Sequence, residues 1–82
     1  MPASAPATAL PVHRDPEILG GTPVFRGTRV PFQTLLDYLE AGDPLDEFLE
    51  DFPSVSRAQA VAALDAARDL VYARLGTRPD PR

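Results

Sequence analysis

Cysteine, lysine and tryptophan are absent from the 82-residue sequence, and histidine occurs once, at His13. Without cysteine there is no disulfide framework, thiol nucleophile or thiolate metal site, and one histidine cannot form a multi-histidine metal centre. No apolar run approaches the roughly 20 residues that span a bilayer, and residues 1–8 lack the basic start and apolar centre of a signal peptide. We therefore expect a cytoplasmic domain that is not an enzyme, with no catalytic residue, cofactor, metal or membrane partner.

The net charge of −4 is concentrated in the middle of the chain. Residues 35–53 contain seven acidic side chains and no basic one: Asp37, Glu40, Asp43, Asp46, Glu47, Glu50 and Asp51. All eight basic residues, every one an arginine, lie outside that stretch. This distribution is unlike that of a strong nonspecific nucleic-acid binder. It is typical of a solvated helix face, or of a face that contacts a basic partner.

Composition divides the chain into three parts. Residues 1–9 are small, polar or proline and predict a disordered tail, and residues 77–82 predict a flexible C-terminal tail. Residues 10–76 are expected to form a single domain. Because a core of that size is marginal alone, we expect a homodimer that buries the extended region 10–31.

Four prolines in residues 10–31 exclude a helix there. The dipeptides Val24-Phe25 and Arg29-Val30 flank Arg26-Gly27-Thr28, a three-residue connection with a central glycine. This pattern predicts a tight β-hairpin between the two dipeptides.

Two apolar stripes with spacing i, i+3, i+4 and i+7 predict two consecutive helices. They are Phe32, Leu35, Leu36 and Leu39 in the first helix, and Leu45, Phe48, Leu49 and Phe52 in the second. Gly42 is expected to end the first helix. Asp43 is the predicted N-cap of the second helix, with Pro44 at its first position and Pro53 beyond its end.

A third helix is predicted from about Arg57 to Leu75, ending at Gly76, with Ser56 and Gln59 in a capping-box pattern. The short connection from helix two is typical of a helix-turn-helix, although plain bundles use such turns too. The predicted fold is therefore mainly α, a three-helix, helix-turn-helix-like domain after a short N-terminal β-hairpin. The expected core consists of Leu35, Leu36, Leu39, Phe48, Leu49, Phe52, Val61, Leu64 and Val71.

Two pairs of residues are candidates for binding. Arg57 and Gln59 open the third helix, where a helix-turn-helix contacts bases, and arginine to guanine and glutamine to adenine are favourable pairings. The alternative is that Gln59 completes the capping box and Arg57 is solvated. Arg26 and Arg29 bracket the hairpin turn and could bind a carboxylate in bidentate fashion, or could simply be solvated.

The segment from Gly21 to Phe32, GTPVFRGTRVPF, closely resembles the signature of the domain-of-unknown-function family 433, in which a G-x-P-v-i-x-G-T-R-i-p run precedes a helix. The resemblance continues through Leu36, Leu39, Gly42 and the proline turn of residues 51–55. It covers about residues 12–72.

The resemblance implies a β-hairpin plus helix-turn-helix-like fold, grouped with homeodomain-like proteins. Family members are often encoded beside a PIN-like nuclease and regarded as VapB-type antitoxins. The implied activity is therefore silencing of a PIN-like toxin protein, with autoregulatory binding of operator DNA as a dimer.

PIN-type nucleases hold Mg²⁺ with clustered carboxylates, and an arginine could displace that metal. The candidates are Arg26 and Arg29 in the hairpin, and Arg74, Arg78 and Arg82 near the C-terminus. The alternatives are a stand-alone DNA-binding regulator and a dimeric adaptor without DNA binding.

Overall fold

A computed structural model describes residues 10–76 and shows a mainly helical chain with a two-stranded antiparallel sheet near its N-terminus. The regular elements are β1 (Val12–His13), β2 (Val24–Phe25), α1 (Phe32–Glu40), α2 (Leu45–Asp51) and α3 (Arg57–Leu75). A 3₁₀ turn at Leu19–Gly21 separates the two strands. Over the described range no helix combines the length and hydropathy that a membrane crossing requires. The tails predicted for residues 1–9 and 77–82 lie outside the described residues.

The strand pairing differs from the one predicted. The partner of β2 is β1, with Val12 opposite Phe25 and His13 opposite Val24. The predicted return strand at Arg29-Val30 does not form, and only an isolated bridge joins Val24 to Pro31. The reason is length: α1 begins at Phe32, so the chain has no room to extend a second ladder. The turn itself is tight, because the Phe25 amide donates to the Val30 carbonyl at 3.0 Å.

The helix boundaries follow the local signals closely. The Oγ of Ser56 accepts a 3.0 Å hydrogen bond from the Gln59 amide and caps α3. Gly76 ends α3 in the left-handed conformation, with φ 74°, as expected of a glycine stop. One boundary shifts: Pro44 rather than Asp43 is the N-cap of α2. Its extended backbone precedes the first helical residue, Leu45, and Asp43 makes no cap hydrogen bond.

The core lies where the β2 turn, α1, α2 and the first half of α3 meet. Phe48 is its centre, with ring centroids 6.1 Å from Phe25, 5.5 Å from Tyr38 and 5.1 Å from Phe52. The cluster of buried residues comprises Phe25, Val30, Leu35, Phe48, Val55, Ala60 and Ala63. Partly buried Leu49, Phe52 and Leu64 pack against it. Alanine at two of the α3 positions lets that helix approach the aromatic cluster closely.

Three residues of the expected core are exposed instead. The exposed fraction is 36% for Leu39, 39% for Val61 and 56% for Val71. Apolar spacing identifies the face of a helix, but it does not say how far along the helix the rest of the domain reaches. The domain covers α3 as far as Leu64 and leaves Leu70, Val71 and Leu75 uncovered.

Candidate interaction site

The turn between β2 and α1 is a rigid loop held by one buried threonine. Gly27 has a φ of 79°, a conformation that suits glycine. The Thr28 hydroxyl donates to the Phe25 carbonyl at 2.9 Å and accepts from the Val30 amide at 3.0 Å. Thr28 is 9% exposed, so both bonds are shielded from water. Sequence reasoning missed this residue, although a polar side chain between a turn glycine and a buried valine was the available signal.

Arg26 joins the N-terminal segment to this turn. Its amide donates to the Pro11 carbonyl at 2.9 Å, and its guanidinium Nε donates to the Leu10 carbonyl. The side chain is therefore partly engaged within the chain, although the residue is exposed. Arg26, predicted as a partner contact, thus also holds the segment that forms β1.

Gln59 connects the same turn to α3. Its side-chain Nε2 donates to the Arg26 carbonyl at 2.9 Å, across 33 residues of sequence. The capping box is therefore half formed: Ser56 caps the helix, and the Gln59 side chain bonds to the turn and not to the start of α3. To contact a base with its amide group, Gln59 would have to release this bond.

Arg57, the other residue predicted to contact DNA, forms an ion pair with Asp46 of α2. The two side chains are 60% and 72% exposed. An ion pair that exposed contributes at most about 1 kcal/mol, so Arg57 exchanges partners readily. The Asp46 carboxylate nevertheless places negative charge at the start of α3, where a DNA phosphate would have to approach.

The remaining arginines differ in whether their side chains are already engaged in hydrogen bonds or ion pairs. Arg29 is exposed, and among residues 10–76 it has no hydrogen bond or ion pair. Arg74 lies exposed in the last turn of α3. Arg68, by contrast, pairs with Asp65 and Asp69 of its own helix. Arg78 and Arg82 lie outside the described residues.

The acidic stretch forms the outer surface of α1 and α2. All of its seven carboxylates are exposed except that of Asp43, which is half-buried. Within the described part of the chain, no group of three or more metal-ligating side chains is arranged to hold an ion. The Tyr38 hydroxyl donates to the Asp51 carboxylate at 2.6 Å. That hydrogen bond, with desolvation and the charges of Asp51, Glu47 and Asp43, raises the pKa of Tyr38 to about 12.

An apolar groove lies between the N-terminal segment and α3, and the sequence did not predict it. Its volume is about 520 Å³. One wall is the segment from Leu10 to Arg14, and the floor includes Phe32. The α3 wall consists of Ala63, Ala66, Ala67 and Leu70. The Nε2 of His13 is buried here without a hydrogen-bond partner among the described residues.

Residues 12–66 match the model of a family described as "Protein of unknown function (DUF433)". The match spans well over half of the chain, and the chain belongs to this family. The predicted family is thereby confirmed. The matched range runs from β1 into the middle of α3, so it includes the turn that Thr28 holds and the first part of the groove.

Two known proteins are similar to this chain. The chain is 48% identical over 44 residues to uncharacterized protein y4eO of Sinorhizobium fredii (strain NBRC 101917 / NGR234), covering 54% of this chain and 20% of that protein. It is also similar to the crystal structure of a DUF433 member protein from Anabaena variabilis ATCC 29413, with a TM-score of 0.62 and 31% identity. That similarity covers 71% of this chain and 57% of the other. The chain thus spans a fifth of the one relative and little more than half of the other.

Proposed function

We propose that the chain is an antitoxin-like binding module, a cytoplasmic homodimer that silences a PIN-like ribonuclease encoded beside it. In this proposal an arginine enters the carboxylate cluster of the nuclease, neutralises its charge and displaces its Mg²⁺. The module supplies binding and no chemistry of its own. Operator binding by the dimer is a second, regulatory part of the same proposal.

The position of Arg29 is the observation that carries this proposal. Arg29 follows Thr28, whose two buried hydrogen bonds hold the turn, and precedes the buried Val30. Because the hydrogen bonds of Thr28 already order the turn backbone, binding through Arg29 does not have to order it, and the planar guanidinium fits a carboxylate in bidentate fashion. Because Arg29 has no partner within residues 10–76, binding would not require breaking an existing ion pair.

The acidic surface of α1 and α2 supports a protein partner over a nucleic acid. Six carboxylates on two short helices, with Asp43 in the connection between them, repel phosphate at long range. When the chain is bound to a nuclease, this acidic surface would also repel the RNA substrate and so hinder it from reaching the nuclease site. This surface is the second feature of the chain that fits inhibition.

Operator binding is the second candidate function, and two contacts rank it below nuclease binding. Gln59 is bonded to the Arg26 carbonyl, and Arg57 is paired with Asp46. Both would have to exchange partners to contact DNA. A stand-alone DNA-binding regulator would show operator selectivity and a steep salt dependence without any toxin. A dimeric adaptor would show neither operator selectivity nor nuclease inhibition.

The test is co-expression with the PIN-like protein of the neighbouring reading frame, followed by co-purification and a ribonuclease assay. We expect a stable complex with no ribonuclease activity. Replacing Arg29 with Ala should restore measurable activity, whereas Arg68→Ala should not, because Arg68 is engaged within its own helix. The same assay on Arg26→Ala, Arg74→Ala, Arg78→Ala and Arg82→Ala ranks the other candidate arginines.

Two results would contradict the proposal. Failure to form any complex with the neighbouring protein would end the antitoxin interpretation. Full inhibition by a chain that lacks all five candidate arginine side chains would leave the partner role but remove arginine capture as its mechanism.

A further inference from the structure

The second half of α3 continues the core-facing stripe of that helix into solvent. Ala60, Ala63 and Leu64 contact the core in the first half of the helix. About two and three turns later the same side carries Leu70, Val71 and Leu75, which are 65%, 56% and 71% exposed. A helix that keeps its apolar stripe beyond the domain it packs on leaves that stripe available to a second surface.

The groove beside this stripe has the complementary shape. Its α3 wall is made mostly of alanines, which leave a space of about 520 Å³. This space begins at Ala63 and reaches Leu70, the first of the exposed leucines. Small residues therefore form the recess and large residues form the projection, on consecutive turns of one helix. Such an arrangement is self-complementary about a two-fold axis, since each copy offers both parts.

Charge permits a second copy at this face and disfavours one at the acidic surface of α1 and α2. Two copies of a chain with a net charge of −4 repel each other, most strongly through the acidic surface of α1 and α2. The groove wall carries no acidic residue. On α3, Arg68 neutralises much of the charge of Asp65 and Asp69, and Arg74 adds a positive charge. Arg68 and Arg74 balance Asp65 and Asp69, so two acidic copies repel each other less here than through the surface of α1 and α2.

We propose that two copies dimerise through an antiparallel pairing of their α3 helices, with Leu70 of each copy entering the alanine-lined groove of the other beside Ala67. This inference specifies the homodimer within the proposed function. It moves the main contact from the extended region 10–31 to α3, and it keeps Leu10 and Pro11 as the outer wall of the groove.

The oligomeric state of the full chain is the first measurement. We expect a dimer by sedimentation at micromolar concentration. Leu70→Glu should weaken dimerisation by more than about tenfold, because it places a charge in the centre of an apolar contact. Ala67→Leu should weaken it by filling the recess. Val61→Glu is the matched control: it adds the same charge to an exposed position of α3 outside the groove and should leave the dimer intact.

Cross-linking tests the direction of the helices. The chain has no cysteine, so introduced cysteines are the only thiols. Chains with Ala67→Cys and chains with Leu70→Cys, mixed and oxidised, should form mixed disulfide dimers. Leu75→Cys alone should not cross-link, because at 1.5 Å per residue antiparallel pairing separates the two Leu75 positions by about 20 Å, beyond the roughly 7 Å that a disulfide allows.

Every outcome decides the inference. A monomeric parent chain, a dimer unaffected by Leu70→Glu, or efficient Leu75→Cys cross-linking each overturns it. Circular dichroism of each variant distinguishes loss of dimerisation from loss of folding. The ribonuclease assay separates this inference from the proposed function: a monomeric chain that still inhibits the nuclease refutes only the α3 pairing, whereas a dimer that never binds the nuclease refutes only the inhibition.

Discussion

The side chain of Gln59, in the first turn of α3, donates a 2.9 Å hydrogen bond to the backbone carbonyl of Arg26. This bond joins the turn that carries the family signature to the helix that packs beside it. Arg26 in turn binds the N-terminal segment through the Pro11 carbonyl. Three segments distant in sequence are thus held at one residue. Their relative position sets where Arg29 points and how wide the groove opens.

Replacing Gln59 with Ala should lower the free energy of unfolding by about 0.5–1.5 kcal/mol, the usual net contribution of one intramolecular hydrogen bond. For a chain of this size each 1 kcal/mol corresponds to a fall in Tm of about 4–8 °C. Thermal denaturation measures it. Gln33→Ala is the control, because Gln33 bonds only to Asp37 within α1 and should have a smaller effect. Equal Tm values for the Gln59 variant and the parent would show that the bond does not stabilise the fold.

Thr28 should be more sensitive than its small size suggests. Thr28→Val keeps the shape but removes the hydroxyl, which leaves the buried Val30 amide without its acceptor. The expected loss is about 1–3 kcal/mol in urea denaturation. Thr28→Ser restores the hydroxyl and should recover most of that loss. If the Val variant is as stable as the parent and the Ser variant is not, packing of the methyl group and not the hydrogen bonds holds the turn.

Phe48 and Leu39 have similar apolar character and opposite environments. Phe48 is fully buried and central to the aromatic cluster, so Phe48→Ala should cost about 3–5 kcal/mol. Leu39 is 36% exposed, so Leu39→Ala should cost about 1 kcal/mol or less. Sequence spacing alone placed both residues in the expected core. Chemical denaturation of the two variants, compared at equal ionic strength, decides between spacing and burial.

Sequence signals predicted the elements of the fold because those signals act locally. Ser56 and Gly76 mark the ends of α3 through contacts within one turn of the helix, and α3 runs from Arg57 to Leu75 as expected. The strand pairing was wrong because it depends on a partner far along the chain. Val12 lies 13 residues before Phe25, and no local pattern relates the two.

The site was only partly predictable for the same reason. The sequence predicts that Arg29 lies at the turn, because it comes two residues after Gly27. The bond between Gln59 and Arg26 spans 33 residues and has no sequence signature. The groove arises from alanines on α3 and a segment that begins at Leu10. The spacing of alanines along a helix does not distinguish residues that pack into a core, such as Ala63, from residues that line an open groove, such as Ala66.

Ionisation of the Tyr38 hydroxyl should lower the free energy of unfolding at alkaline pH. Its pKa is 10.0 in an unperturbed side chain and about 12 here, chiefly because the hydroxyl donates to Asp51. A raised folded-state pKa means that the folded chain favours the protonated phenol. The resulting stability is complete below pH 10 and is lost as pH rises through 12. Tyr38→Phe removes this dependence, so the variant should lose less stability than the parent between those values.

Spectrophotometric titration checks the Tyr38 pKa directly. In a Tyr72→Phe background Tyr38 is the sole tyrosine, and its phenolate absorbance should appear near pH 12. Asp51→Asn removes the acceptor charge and should move the transition towards the ordinary value. A Tyr38 transition near pH 10 in the Tyr72→Phe chain would show that the hydrogen bond to Asp51 is absent in solution.

Substitutions of Arg57 and Asp46 test operator binding, because they should change the affinity for DNA in opposite directions. If α3 contacts operator DNA, Arg57→Ala should weaken binding to the chain's own promoter by about 1–3 kcal/mol. Asp46→Asn should strengthen it, because the change frees Arg57 and removes a negative charge from the start of α3. Neither variant should change stability by more than about 1 kcal/mol, since both side chains are largely exposed. Mobility-shift titrations at two salt concentrations, with the promoter and with random DNA of equal length, measure these differences. Equal affinity for the two DNAs, with and without the nuclease partner, would remove the operator role and leave Arg57 as a surface ion pair.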